Sequence, residues 1–234
     1  MTVPYKTGRF RLLLALALAL FAASTIAAAA DDREDIDKVN GSITAEAGKA
    51  YGDLETVNGS IRFEDGAHAR DAQTVNGSIK IGDDIEAEDI GTVNGSIHIG
   101  TQARISGGVE TVNGGIFVDR GGHVAKGIET VNGAIGIVAT ELGGSIETVN
   151  GDITVGIDSH VHGGVKVNKP TSNWMPIEFG NKRKPRIVIG PNAVVDGDLV
   201  FEREVTLYVH KSARIGKVTG ATPVAFDTPR APQD

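Results

Sequence analysis

The residues best equipped for chemistry in this chain are its six histidines, His68, His98, His123, His160, His162 and His210. Imidazoles act as general bases and as ligands for zinc-type ions, so their spacing decides whether they can act together. His68, His123 and His160 recur at one position of a repeating pattern, three and two repeats apart, which at the spacing of stacked strands separates them by roughly 14 and 10 Å. Ligands of one ion lie about 2 Å from it, so these three cannot share a metal. His160 and His162 are closer, but a lone pair without a third ligand is a weak metal signal, and both read as solvated corner residues. The acidic runs "EDGAHARD" (64–71) and "GDDIEAED" (82–89) lack the Gly-Gly-x-Gly-x-Asp nonapeptide of calcium-binding β-rolls. They read as a charged surface that keeps a β-rich protein soluble. The chain also shows no Ser-His-Asp order, phosphate-cradling loop or dinucleotide fingerprint. No catalytic residue, metal ligand or cofactor is assigned from the sequence.

The element that must position any such group is a repeat. Asn-Gly pairs fall at Asn40, Asn58, Asn76, Asn94, Asn113, Asn132 and Asn150, with spacings of 18, 18, 18, 19, 19 and 18. An Asn-Gly pair between apolar β-formers is locally a hairpin signal. A hairpin gives no reason for a fixed period, whereas a solenoid does, because each coil pairs with its copy above and below. Within a repeat, apolar or small residues recur about every six positions, as at Val75, Ile81, Ala87 and Val93. Three such steps per repeat predict an all-β fold, a single-stranded parallel β-helix of about 18 residues per triangular coil and eight to nine coils.

In that helix the seven Asn side chains stack as a hydrogen-bonded ladder, and Asn-Gly occupies a corner where positive φ is tolerated. The Thr column at Thr56, Thr74, Thr92, Thr111, Thr130 and Thr148 alternates with the adjacent Val, so the expectation is Val inward and Thr on the surface.

Residues 1–30 differ from all that follow. Lys6, Arg9 and Arg11 precede an apolar run from Leu12 to Ile26 and the small-residue end "AAAA", the pattern of a secretory signal peptide cleaved after Ala30. Those residues carry three of the 23 basic side chains and none of the 30 acidic ones, so the remaining 204 residues have a net charge near −10. That balance argues against a nucleic-acid partner. No other run is long enough to span a bilayer. Export without any cysteine points to the bacterial periplasm or cell surface. With 31 glycines and only 5% aromatic residues, the core must be built from small repeated side chains.

The solenoid is expected over 31–218, interrupted by a loop at 168–186, and followed by a disordered tail at 219–234. The loop "NKPTSNWMPIEFGNKRKPR" breaks the repeat, and non-repetitive loops are where contacts concentrate. Trp174, Met175 and Phe179 offer an apolar anchor, and Lys182, Arg183, Lys184 and Arg186 a cationic one.

The segments "ETVNGSI" and "ETVNGGI" resemble the adhesin-type β-solenoids of bacteria, exported or envelope proteins. "ARISGGVETVNGGI" and "IGPNAVVDGDLVF" are similar also to bactofilins, polymer-forming proteins with a β-helix core. The hexads look like those of hexapeptide acyltransferases, whose coil is left-handed, while the other two families suggest a right-handed one. Together these resemblances imply a non-enzymatic exported scaffold or adhesin that contacts an envelope component, glycan or protein. Self-polymerisation is the alternative, and an acyltransferase a more distant one.

Overall fold

The computed structural model describes residues 33–170 and 184–232. Those residues form three parallel sheets stacked as a β-solenoid of about 9 turns. One ten-stranded sheet runs from Glu34–Asn40 to Val218–Thr219 and carries the Asn residues; it is called here the ladder sheet. A second ten-stranded sheet runs from Ile43–Ala45 to Pro223–Phe226. A narrow sheet of seven two-residue strands runs from Glu86–Ala87 to Arg214–Ile215. Every strand pairs with its copy one coil away, as in Ile79 with Ile97 and Thr74 with Thr92. The hairpin suggested locally by Asn-Gly is therefore absent from these corners. No helix among the described residues is long and apolar enough to cross a membrane.

Each coil sends two residues inward from each sheet. Ile90 and Thr92, Ile97 and Ile99, Ala103 and Ile105 make one such layer, all at most 1% exposed. Inward residues are two apart with one outward residue between them, as His98 is between Ile97 and Ile99. From sheet to sheet the steps in the coil beginning at Ala72 are seven, six and five, to Ile79, Ile85 and Ile90. Strict hexads do not hold, because the Val-Asn-Gly-Ser corner takes four residues after the inward Thr.

That corner overturns the expected orientation of the Thr column. Thr56, Thr74, Thr92, Thr111, Thr130 and Thr148 are all buried, whereas Val57, Val75, Val93, Val112 and Val131 are half-buried on the outer side and Val39 is 62% exposed. Alternation couples Val to the residue two before it, which is Glu55, Glu110, Glu129 or Glu147 in four coils. Turning Val inward would bury an unpaired carboxylate, at a cost of several kcal/mol. Leaving Val partly outside forfeits at most about 2 kcal/mol of burial. The charge decides, and Thr enters the core with its hydroxyl engaged. Thr56 Oγ1 donates to Gly41 O at 3.0 Å, Thr74 to Gly59 O at 2.8 Å and Thr92 to Gly77 O at 2.9 Å, each one coil below. Thr148, at the end of the column, has no partner for its hydroxyl among the described residues.

The glycine of Asn-Gly is required for a reason other than the one expected. Of the seven corner glycines only Gly41 has positive φ, at 111°. At Gly95 a Cβ would overlap the carbonyl oxygen of Gly77 in the coil below, so close backbone stacking excludes any side chain. Positive φ belongs to another corner, at Gly48, Gly66, Asp84, Gln102, Gly121, Ala139, Asp158 and Asn192.

The solenoid also extends past its expected end. Pro223–Phe226 pairs with Thr206–His210, and Phe226 is buried, where the sequence reading expects a disordered tail from 219. Arg186–Ile189 is likewise a strand of the second sheet rather than part of the loop.

Candidate functional site

The Asn ladder forms as the period predicts. The Nδ2–H of Asn58 donates to Asn40 Oδ1 at 3.0 Å, and Asn76, Asn94, Asn113, Asn132 and Asn150 continue the chain at 2.9 to 3.0 Å, all exposed. Its last oxygen, Asn150 Oδ1, accepts from Arg203 Nη1 at 2.5 Å, and the same guanidinium nitrogen reaches Val149 O at 3.2 Å. Arg203 thus caps the ladder after its last rung.

Of the residues assigned to the interaction loop, Trp174, Met175, Phe179, Lys182 and Arg183 lie outside the described residues, as do residues 1–30, where the sequence predicts a signal peptide. The two that are described have partners within the chain. Lys184 Nζ is 3.1 Å from Glu204 Oε2. Arg186 lies over the Tyr208 ring, 5.1 Å from its centroid, and donates from Nη2 to Pro232 O at 2.7 Å.

The acidic runs have a structural use beyond solvation. Asp83 Oδ1 accepts from Thr101 N at 2.7 Å and Asp89 Oδ1 from Gly108 N at 2.6 Å, so carboxylates fasten one corner to the next coil. Hydrogen bonding from Thr101 holds the Asp83 carboxyl below its ordinary range. Asp71 behaves oppositely. Burial pushes its pKa up, and Asp53 and Asp89 add to that, although Asp89 N donates to it. Asp71 lines a shallow notch with Gln73, Asp89, Gly91, Glu110 and Glu129, which opens because Gly91 has no side chain in the column of outward residues.

The histidines divide as the period requires. His68 and His123 do stand on the same outward column of the narrow sheet as His160, separated by whole coils, and do not meet. His68 instead faces Glu86 at 3.4 Å. On the second sheet His98 stacks on Phe117 with ring centroids 5.2 Å apart, and His210 Nδ1 accepts from Ser212 N at 3.1 Å and lies 2.7 Å from Ser212 Oγ.

His160 and His162 are different, because the neighbouring coils bring two carboxylates to them. Glu141 pairs in register with His160 from the coil before, and Asp196 follows Val195, which pairs with Val161 from the coil after. His162 Nε2 is 2.5 Å from Glu141 Oε1, and His162 Nδ1 is 3.1 Å from Asp196 Oδ2. His160 Nε2 is 2.8 Å from the same Asp196 oxygen and its Nδ1 is 3.6 Å from Glu141 Oε1. The imidazole centroids are 4.0 Å apart. Hydrogen bonds to Glu141 and Asp196 raise the His162 pKa above its ordinary value. Asp196 is held below its own range, chiefly by the hydrogen bond to His160 and then by that to His162. All four side chains point out from a short stretch whose intervening residues, Leu142, Val161 and Val195, are buried.

Sequence reasoning found the two histidines and missed both acids. Glu141 is 19 residues before His160, and Asp196 is 34 after His162 because the 168–186 excursion separates the two coils. Writing each coil under the last in register, with the excursion removed, would have placed all four together.

The fold and its ladder define a parallel β-solenoid. Comparison with family models, curated proteins and solved structures finds no match for the chain.

Proposed function

We propose that this protein is a non-enzymatic, exported β-solenoid that acts as an adhesin-like contact rod or scaffold in the bacterial cell envelope, in the periplasm or at the cell surface. The observation that supports this most is the exposed Asn edge. Seven identical amides joined in line, one per coil, make a straight face of about 29 Å at the ~4.8 Å strand spacing. Such an edge repeats one chemistry at one interval, which suits a polymeric partner such as a glycan or another β-rich protein. The unequal steps between sheets speak against the strict hexads of an acyltransferase.

The test is cell fractionation of the full chain against one lacking residues 1–30, followed by co-sedimentation of the purified protein with isolated envelope polymers. Recovery outside the cytoplasm only with residues 1–30, and saturable envelope binding, are the expected results. Cytoplasmic retention of the full chain would end the exported reading. The same sedimentation with residues 170–185 deleted measures the contribution of the loop.

Self-polymerisation is the second reading, favoured by a first strand, Glu34–Asn40, that among the described residues is paired in the sheet only with Tyr51–Asn58. Its exposed Glu34, Asp35 and Asp37, and Pro223 on the last strand, weigh against end-to-end stacking. Electron microscopy showing filaments rather than short rods would favour it.

A further inference from the structure

We propose that Glu141, His160 and His162 form a binding site for a divalent transition-metal cation of the zinc class, with Asp196 orienting both imidazoles. Among the described residues these three are the group of His and carboxylate side chains whose ligand atoms all lie within 4.8 Å of one another. The inference is independent of the scaffold reading, since it depends on side chains of the narrow sheet and not on the Asn edge or the loop.

The donor set selects the ion. Two imidazoles and one carboxylate are the protein ligands of an open zinc-type site, whereas calcium and magnesium require oxygen ligands almost throughout. The hydrogen bonds select the atoms. Asp196 Oδ2 lies 2.8 Å from His160 Nε2 and 3.1 Å from His162 Nδ1, so it accepts an N–H from each ring. Those tautomers leave His160 Nδ1 and His162 Nε2 as lone-pair donors, and both face Glu141 Oε1, at 3.6 and 2.5 Å. One carboxylate fixing the distal nitrogen of each ligating imidazole is the usual support around such ions.

Donors in a tetrahedral shell with bonds of ~2 Å stand roughly 3.4 Å apart. His160 Nδ1 and Glu141 Oε1 already have that separation. His162 Nε2 and Glu141 Oε1 must part by roughly an ångström, which rotation of the half-exposed Glu141 side chain supplies without moving the backbone. The backbone itself is pinned: His160 N donates to Thr140 O, His162 N to Leu142 O and Asp196 N to Val161 O, each at 2.9 Å. One residue after the Leu142–Val161 pair, Gly143 precedes His162 in the coil below and puts no side chain under it. His162 is exposed, so the fourth position opens to solvent.

The experiment is a titration of the untagged protein, as purified from the producing cells and stripped with chelator, with zinc sulfate by calorimetry and with cobalt(II) by visible absorption. One ion per chain with micromolar or tighter affinity, and the intense absorption of four-coordinate cobalt, are expected. His162→Ala and Glu141→Gln should each weaken binding by at least about 10-fold. Asp196→Asn should weaken it by about 10- to 100-fold while leaving one ion per chain. His68→Ala, on the same column but four coils before Glu141, should leave affinity unchanged. Circular dichroism checks that each variant is folded, which is expected because the substituted side chains lie outside the core. Absence of saturable binding, binding that the three cluster substitutions leave unchanged, or binding that His68→Ala weakens equally would overturn the assignment.

Discussion

Two columns run along this solenoid, and they are built on opposite rules. At the Asn-Gly corner every coil repeats the same residues, and each rung bonds to an identical one, from Asn40 to Asn150. On the outward column of the narrow sheet the residues change from coil to coil: His68, Glu86, Arg104, His123, Glu141, His160 and Val194 stand one above another. Identity along the first column satisfies the fold, since an amide both donates and accepts and can stack on itself without limit. A charged side chain cannot do so, because like charges one strand apart repel. The second column therefore varies, and where it carries Glu141 and His160, with His162 and Asp196 beside them, it gathers groups that the fold does not need. Repetition marks structure here, and departure from repetition marks the place where chemistry can collect.

The sharpest way to break that contrast is Gly95→Ala. A methyl there meets the Gly77 carbonyl in the coil below, so destabilisation of about 3 kcal/mol is expected in chemical denaturation. An unchanged midpoint would mean that the corner glycines are not held by stacking. Next in size, Thr92→Val removes a hydroxyl that donates to Gly77 O and should cost about 1 kcal/mol. The same change at Thr148, whose hydroxyl has no partner among the described residues, should be neutral or stabilising, and equal losses at the two sites would refute the distinction.

A smaller effect is expected at Asp71. Its folded pKa is raised, so the folded state binds the proton more readily than the unfolded one. Stability then increases as pH falls from neutral through that raised value, and the ionised form is the unfavourable one. Asp71→Asn should raise the melting temperature at pH 7 and lose that advantage by about pH 4, near the ordinary carboxylate pKa; a benefit that persists in acid would point to another cause. Least of all, without added metal, His160→Ala or His162→Ala should leave the denaturation midpoint essentially unchanged, as for surface changes generally. A loss comparable to that of Thr92→Val would make the cluster structural.

The period alone carried most of the architecture. Seven Asn-Gly pairs at 18 or 19 residues sufficed for a parallel solenoid, its coil length and its ladder, because a fixed repeat has no other use for identical corners. The phase of the alternation is not legible from apolar residues alone, although Glu55, Glu110, Glu129 and Glu147 beside the Thr column contain the answer. Counting apolar residues favoured Val inward; weighing the buried carboxylate that must accompany it favours Thr. The tail is a similar case, since Pro223 and mixed charge suggest disorder while the open edge of Thr206–His210 accepts one more strand.

The sequence by itself determined the repeat and the stacking of like on like, because these follow from residues at fixed spacing. Tertiary structure alone decided which side chains stand opposite which across coils of unequal length. The meeting of Glu141, His160, His162 and Asp196 depends on one 19-residue step and on an excursion that leaves the register intact. Strand pairing sums those lengths in space and returns the chain to the same column, and no local pattern in the sequence records that sum.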